Sequence, residues 1–290
     1  MMRLKLYQFK NSIEQKEDAL YIHASSALSW LIKFLKDECI RQRGITRAVL
    51  GLSGGLDSAV VAYLCAKAFG PENVYAFLMP FKTSAKESFD HATLVAEKTK
   101  IHYEKIEISS MVEGYLSTQK EDVSALRLGN LCARCRAMIL FDQSAKLGAL
   151  PIGTGNKSER LMGYYTWHAD DSAPINPLGD LYKTQVVQLA KELKIPEVIL
   201  NKAPSADLVP GQTDENDLGL TYSKIDKILY CLLQGYTKEK LVEDGFDQEE
   251  VNVVSSKLGK THWKRHLPTT AMMDVMTIEE SYRRPVDYHS

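Results

Sequence analysis

The chain has 290 residues, 44% of them hydrophobic and 25% charged, and a formal net charge of −1. That balance suits a globular protein with ample material for a core. It lacks the basic excess of a dedicated nucleic-acid binder. Five cysteines, of which only Cys132 and Cys135 are spaced as C-x-x-C, are too few and too scattered for a disulfide framework or a four-cysteine zinc site.

Residues 1–20 carry Arg3, Lys5, Lys10, Glu14 and Lys16 with no apolar stretch between them, so no secretory signal is expected. No run of about 18 apolar residues predicts a membrane span. Both absences point to a cytoplasmic location. Leu20, Ala24, Ala27, Leu28, Leu31 and Leu35 recur at helical spacing and predict a helix over about 17–43, ended by Gly44. Arg47–Leu52 reads as a short buried strand. Residues 57–69 read as a helix stopped by Gly70-Pro71, and Val74–Met79 as a second strand. Ser84-Ala85-Lys86-Glu87 has the form of a capping box that opens a helix to about Lys100. Tyr103–Ile108 reads as a third strand, 123–147 as a helix ending at Gly148, and Leu150–Gly153 as a fourth strand. Lys183–Lys194 is a further helix. On the 123–147 helix, Cys132 and Cys135 read as two small packed residues rather than a redox pair. Residues 204–222, with Pro204, Pro210, Gly211, Gly219 and several acids, form a long polar loop. Short helices follow near 223–234, 237–243 and 248–258.

Strands alternating with helices imply βαβ units, hence an α/β fold: a doubly wound parallel sheet flanked by helices, with additional C-terminal helices. Such sheets bind ligands at the carboxyl ends of their strands, where the winding reverses. The loops after Leu52, Met79 and Ile152 are therefore the places to look for chemistry.

The first of them is Gly51-Leu52-Ser53-Gly54-Gly55-Leu56-Asp57-Ser58. Small residues between a strand and a helix let the backbone approach an anion, and the loop amides with the helix N-terminus behind them form a positive cradle for phosphate. Ser53 and Ser58 add hydroxyl donors. Asp57 repels phosphate unless a magnesium ion lies between them. The loop has no Walker lysine, and Ser53 and Leu56 break the dinucleotide pattern G-x-G-x-x-G.

The S-G-G-x-D-S pattern resembles the loop of the ATP pyrophosphatase group, whose members cleave ATP between the α- and β-phosphates. Four further segments stand in register with it: Asn130-Leu131-Cys132-Ala133-Arg134-Cys135-Arg136, Gly153-Thr154-Gly155-Asn156-Lys157-Ser158-Glu159, Pro177-Leu178-Gly179-Asp180-Leu181-Tyr182-Lys183-Thr184 and Pro204-Ser205-Ala206-Asp207-Leu208. In this order they resemble ammonia-dependent NAD synthetase over roughly residues 25–268. The resemblance implies one domain, core about 17–268, with peripheral tails. It also implies amidation of deamido-NAD: the nicotinate carboxylate attacks the α-phosphate of ATP, pyrophosphate leaves, and ammonia displaces AMP.

The resemblance also implies roles. Gly51, Leu52, Ser53, Gly54, Gly55, Leu56, Asp57 and Ser58, with Thr154, Lys183 and Ser205, match ATP contacts. Asp57 and Glu159 match magnesium ligands. Asn130, Arg134, Trp263 and Lys264 match deamido-NAD contacts, with Trp263 where relatives have histidine. Asp170 falls near the reacting carboxylate, either orienting ammonia and accepting a proton or serving as an ordinary loop acid. Without the resemblance, Glu159 is a solvated carboxylate at a helix start. Lys183 is a surface charge poorly placed against a helix dipole, a misfit that favours function. Trp167 and Pro174 stand where many relatives have substrate-touching Lys and Asp. The family implies a homodimer, for which the helices at about 17–43 and 123–147 are the candidates, although their apolar faces equally suit burial within one subunit. The polarity and length of the loops at 82–88 and 204–222 predict that they close over ATP. No glutaminase domain fits in the chain, so the nitrogen donor is free ammonia or ammonia delivered by a separate subunit. The competing readings are another ATP pyrophosphatase-type amidase or tRNA-modifying enzyme, and an ATP-binding sensor without turnover.

Overall fold

Four short parallel strands form one sheet in the computed structural model, which describes residues 19–205, 213–266 and 271. They are β1 (Ala48–Gly51), β2 (Val74–Leu78), β3 (His102–Lys105) and β4 (Leu150–Pro151), in the order β3–β2–β1–β4. Ala48 lies opposite Val74 on one side and Leu150 on the other. Winding runs outward from β1 through β3, then returns to place β4 on the far side of β1. The switch point therefore lies between β1 and β4.

The period-two pattern of β1 explains the layers. Ala48 and Leu50 face a core shared with α1 (Ala24–Leu35), α2 (Leu56–Phe69), α3 (Lys86–Thr99) and α7 (Lys183–Glu192). Val49 faces the opposite way, with Phe77, onto α4 (Ser109–Leu116) and α5 (Ala125–Leu147). The doubly wound arrangement follows, as expected. A third cluster joins the short α6 (Lys157–Met162) to α10 (Tyr222–Leu233), α11 (Lys238–Glu243) and α12 (Gln248–Lys260) through Met162, Ile225, Leu229, Leu241 and Val254. These are the additional C-terminal helices. The remaining helices are α8 (Glu197–Leu200) and α9 (Asp214–Leu218).

Several boundaries differ from the sequence reading. The first helix begins at Ala24 and widens at Lys36–Arg41 into a π-helical turn that seats Cys39 in the core before Gly44. Residues 17 and 18 lie outside the described part. The expected capping box at Ser84 does not form: Ser84 Oγ accepts from the Phe81 amide instead, and Ala85 precedes α3 without a side-chain cap. The third strand stops at Lys105, and its four residues are all exposed at the sheet edge. The polar stretch 204–222 contains α9, while 206–212 lie outside the described residues. Four helices of eight residues or fewer, α4, α6, α8 and α9, were not separated from loops because so few turns show no periodicity.

Candidate active site

A cavity of about 870 Å³ opens over the carboxyl ends of β1, β2 and β4, where Gly51, Leu78 and Ile152 reach its wall. The loop between β1 and α2 forms its floor. Ser58 Oγ donates to the Gly55 carbonyl and lies 3.1 Å from Ser53 Oγ, while the Gly55 amide donates to Ser53 Oγ. These bonds fold the loop over the first turn of α2 and leave Ser53 exposed to the cavity. Gly54 is turned away, packed on the first turn of α3.

Three helix N-termini converge here. Asp57 sits in the first turn of α2, Glu159 in the first turn of α6 and Lys183 at the start of α7. Asn156 caps α6: its side chain accepts from the Glu159 amide, and Glu159 Oε2 accepts from the Asn156 amide, each at 3.0 Å. Asn156 Nδ2 also donates to Asp57 Oδ1 at 3.1 Å. Lys183, only 5% exposed, donates to Asp57 Oδ2 and stands 3.9 Å from Glu159 Oε1. Burial alone would lower the Lys183 ammonium, but Asp57 and Glu159 outweigh it and raise it above the ordinary lysine value. Burial, reinforced by the Asp57 carboxylate and opposed by Lys183, holds Glu159 well above the usual carboxylate range.

Sequence reasoning assigned no role to three neighbours. Asn156 was legible as the first residue of an N-x-x-E capping box. Asp214 and Tyr222 were not, because they reach the site from a distant polar stretch. Asp214 is buried and bonded to the Tyr222 hydroxyl, and its Oδ1 has no hydrogen-bond partner among the described residues. The Tyr222 ring lies 5.5 Å from Lys183 Nζ. Among the described residues Asp57, Glu159 and Asp214 thus share one cation, Lys183, and the cluster is electrostatically short of positive charge. That deficit and the hard oxygen donors of Asp57 and Glu159 suit a magnesium ion, which takes one or two carboxylates and completes its shell with water and phosphate oxygens. Among the described residues no group of three or more ligating side chains surrounds one point.

Thr154, Ser205 and Asp170 also reach the cavity wall. Asp170 Oδ1 accepts from the Thr166 amide at 2.8 Å. The protein packed around Asp170 raises its carboxyl to about 6, although its side chain still meets the open cavity. The substrate-side residues divide. Asn130 and Lys264 reach the wall. Arg134 lies outside it and donates to the Trp167 carbonyl, while Trp263 is 56% exposed and stacks edge-on with Trp167 at 5.0 Å. Lys264 Nζ donates to the Gly163 and Tyr165 carbonyls, and the Tyr165 hydroxyl returns a bond to the Lys264 carbonyl. Lys202, just ahead of the 204–222 stretch, donates to Ser88 Oγ, at the end of the 82–88 stretch, at 2.9 Å. Cys132 and Cys135 are buried on α5, and burial raises both thiols, which suits packing rather than redox exchange.

A glycine–serine loop at the switch point of a parallel sheet, facing a lysine held between carboxylates, is the equipment of an enzyme that acts on a nucleotide polyphosphate. The comparisons narrow that class. The NAD synthase family model matches residues 27–268, and the chain belongs to this family. The NH3-dependent NAD+ synthetase of Trichlorobacter lovleyi is 46% identical over 270 residues, covering 93% of this chain and 98% of that protein. Among solved structures, an NMN synthetase from Francisella tularensis superposes with a TM-score of 0.78 at 32% identity, covering 87% of this chain and 99% of that one. An NH3-dependent NAD synthetase from Campylobacter jejuni, in complex with nitrate, gives 0.75 at 32% identity, covering 87% and 100%.

Proposed function

We propose that this chain is a ligase that uses ATP and ammonia to convert deamido-NAD to NAD, releasing AMP and pyrophosphate. The observation that carries the reading is the Asp57–Lys183–Glu159 cluster facing the Gly51–Ser58 loop across one cavity. The family relationship supplies the substrates.

The physical difficulty of the reaction is charge, since a carboxylate must approach a polyphosphate and pyrophosphate must leave. The first turn of α2, beginning at Leu56, and the exposed Ser53 hydroxyl receive the phosphate oxygens. Asp57 and Glu159 would hold a magnesium ion, which when bound would supply charge neutralisation for the pyrophosphate. Lys183, placed between Asp57 and Glu159 at the start of α7, presents the ammonium that binds the phosphates. The nicotinate oxygen bonds to the α-phosphorus as the bond to pyrophosphate breaks. The nitrogen of ammonia then bonds to the carboxyl carbon, the bond to AMP breaks, and a proton leaves nitrogen. Asp170 orients the ammonia and accepts that proton. Thr154 and Ser205 contact ATP. Asn130, Arg134, Lys264 and Trp263 flank the dinucleotide, Arg134 after it releases Trp167.

The substrates are small molecules, and neither nucleic acid nor membrane takes part. No described helix is long and apolar enough to cross a membrane, and the reading places the enzyme in the cytoplasm. Incubation with ATP, magnesium, ammonium and deamido-NAD should yield NAD, AMP and pyrophosphate. The Francisella relative makes the mononucleotide acid a necessary parallel substrate in that assay. ATP–pyrophosphate exchange with a different acid and no NAD would reject the synthetase reading, and ATP binding without turnover would favour a sensor. Asp57→Asn should lower the rate about 10³-fold with the fold intact; full activity would refute its role.

A further inference from the structure

Asp226 lies on α10 and has no solvent exposure. It occupies the buried stripe of that helix, among Tyr222, Ile225 and Leu229, and it does not reach the cavity wall. Among the described residues no cation bonds to it. Its partners are three donors from two other helices: Ser158 Oγ on Oδ1, and the Thr184 amide and hydroxyl on Oδ2 at 2.9 and 2.8 Å. Ser158 Oγ, having donated its proton, accepts from the Lys183 amide at 2.9 Å.

The positions of these donors in the chain are informative. Ser158 directly precedes Glu159, and Thr184 directly follows Lys183. α6 has six residues and α7 ten. Helices this short have little stability of their own, so their directions are set by what ties them down. One buried carboxylate grips the first turns of both. Burying a carboxylate is costly unless it is hydrogen-bonded, and the three donors to Asp226 come from the two segments that carry the cluster. A core role alone would be met by an apolar residue at this place in the stripe.

We propose that Asp226 is a positioning residue: it fixes the first turns of α6 and α7 against each other, and through them the placement of Glu159 and Lys183 over the phosphate loop. Its effect falls on the phosphoryl-transfer rate rather than on deamido-NAD affinity, because Asn130 and Arg134 stand on a different helix, α5, and Lys264 is held at the opposite, C-terminal end of α6 by the Gly163 and Tyr165 carbonyls. The inference rests on the synthetase reading, and wild-type protein tests that reading separately.

The experiment compares wild type with Asp226→Asn, Thr184→Val, Thr184→Ser and the double variant Asp226→Asn/Thr184→Val, in steady-state assays normalised to folded protein by circular dichroism. Lys224→Ala, an exposed change on the same helix, is the control. Asp226→Asn should lower kcat about 10- to 100-fold, with KM for deamido-NAD within about twofold of wild type, as a misplacement near 1 Å does. Thr184→Val should lower kcat and Thr184→Ser restore it. The double variant should be no worse than Asp226→Asn alone, since the two changes break one connection. An unchanged kcat in Asp226→Asn, a loss fully accounted for by unfolded protein, or multiplicative effects in the double variant would each overturn the proposal. If Asp226→Asn does not fold, equal kcat in Thr184→Val and Thr184→Ser does the same. A wild type that forms no NAD would reject the synthetase reading instead.

Discussion

At Gly54 the backbone turns with φ +79°, and a Cβ placed there would sit 2.0 Å from the Ser88 carbonyl oxygen. Both conditions act together: the left-handed conformation costs a side chain about 1–2 kcal/mol, and the contact forces α3 away from the loop. Gly54→Ala should therefore lower the thermal midpoint by several degrees, and ATP-dependent activity should fall with it. Asp170 makes a different prediction. Its carboxyl is raised to about 6, so the charged form that accepts a proton is lost as pH falls through 6. NAD formation should fall with it, and Asp170→Asn should lower the rate about 10²- to 10⁴-fold at pH 7.5. Stability runs the other way. A carboxyl with a raised folded value loses stability as pH rises from its unfolded value near 4 through about 6. Asp170→Asn should be the more thermostable protein at pH 7.5, and the difference should vanish near pH 4. A constant difference across that range would argue against a desolvated Asp170.

Among the elements, α6 shows how a six-residue helix is held. Its N-terminus is closed by Asn156 and tied to Asp226 through Ser158. Its last carbonyls accept from Arg265, which bonds Arg160 and Leu161 and also reaches the Leu258 carbonyl of α12. Arg265→Ala should cost about 2 kcal/mol in denaturant unfolding, with KM for ATP nearly unchanged. The same helix marks how far local pattern can be read. Asn156-x-x-Glu159 and Ser84-x-x-Glu87 have the same signature, but only the first is a capping box. Ser84 is taken by the turn at Phe81, an alternative use of a short polar side chain that spacing cannot reveal. The phosphate loop, Glu159 and Lys183 were legible because each sits at a strand end or helix start with its motif contiguous. Asp214, Tyr222 and Asp226 were not, because their roles exist only once α9 and α10 pack against elements 42 to 68 residues earlier, as the Asp226 bonds span. An acid within an apolar helical stripe was the one available sign of Asp226.

For the whole molecule, the long α5 leaves Leu126, Met138 and Phe141 at 73%, 57% and 45% exposure. Leu126 and Phe141 line the cavity, so Met138 is the exposed residue that tests the homodimer expected across that helix. Met138→Glu should shift sedimentation toward the 32.6 kDa monomer, and a wild type that is monomeric at working concentration would exclude the dimer. The clasp of Lys264 and Arg265 on residues 160–165 spans 99 to 105 residues, and this bears on how the enzyme is made. A ribosome adds about 5–20 residues per second, so the phosphate loop is out for roughly 10–40 s before the clasp follows. During that interval the nascent chain carries an open floor without its roof, and the apolar faces of α6 and α10 wait for α12. Activity should therefore switch on near the end of translation rather than accumulate along it, and chains arrested before residue 262 should retain the loop yet form no NAD.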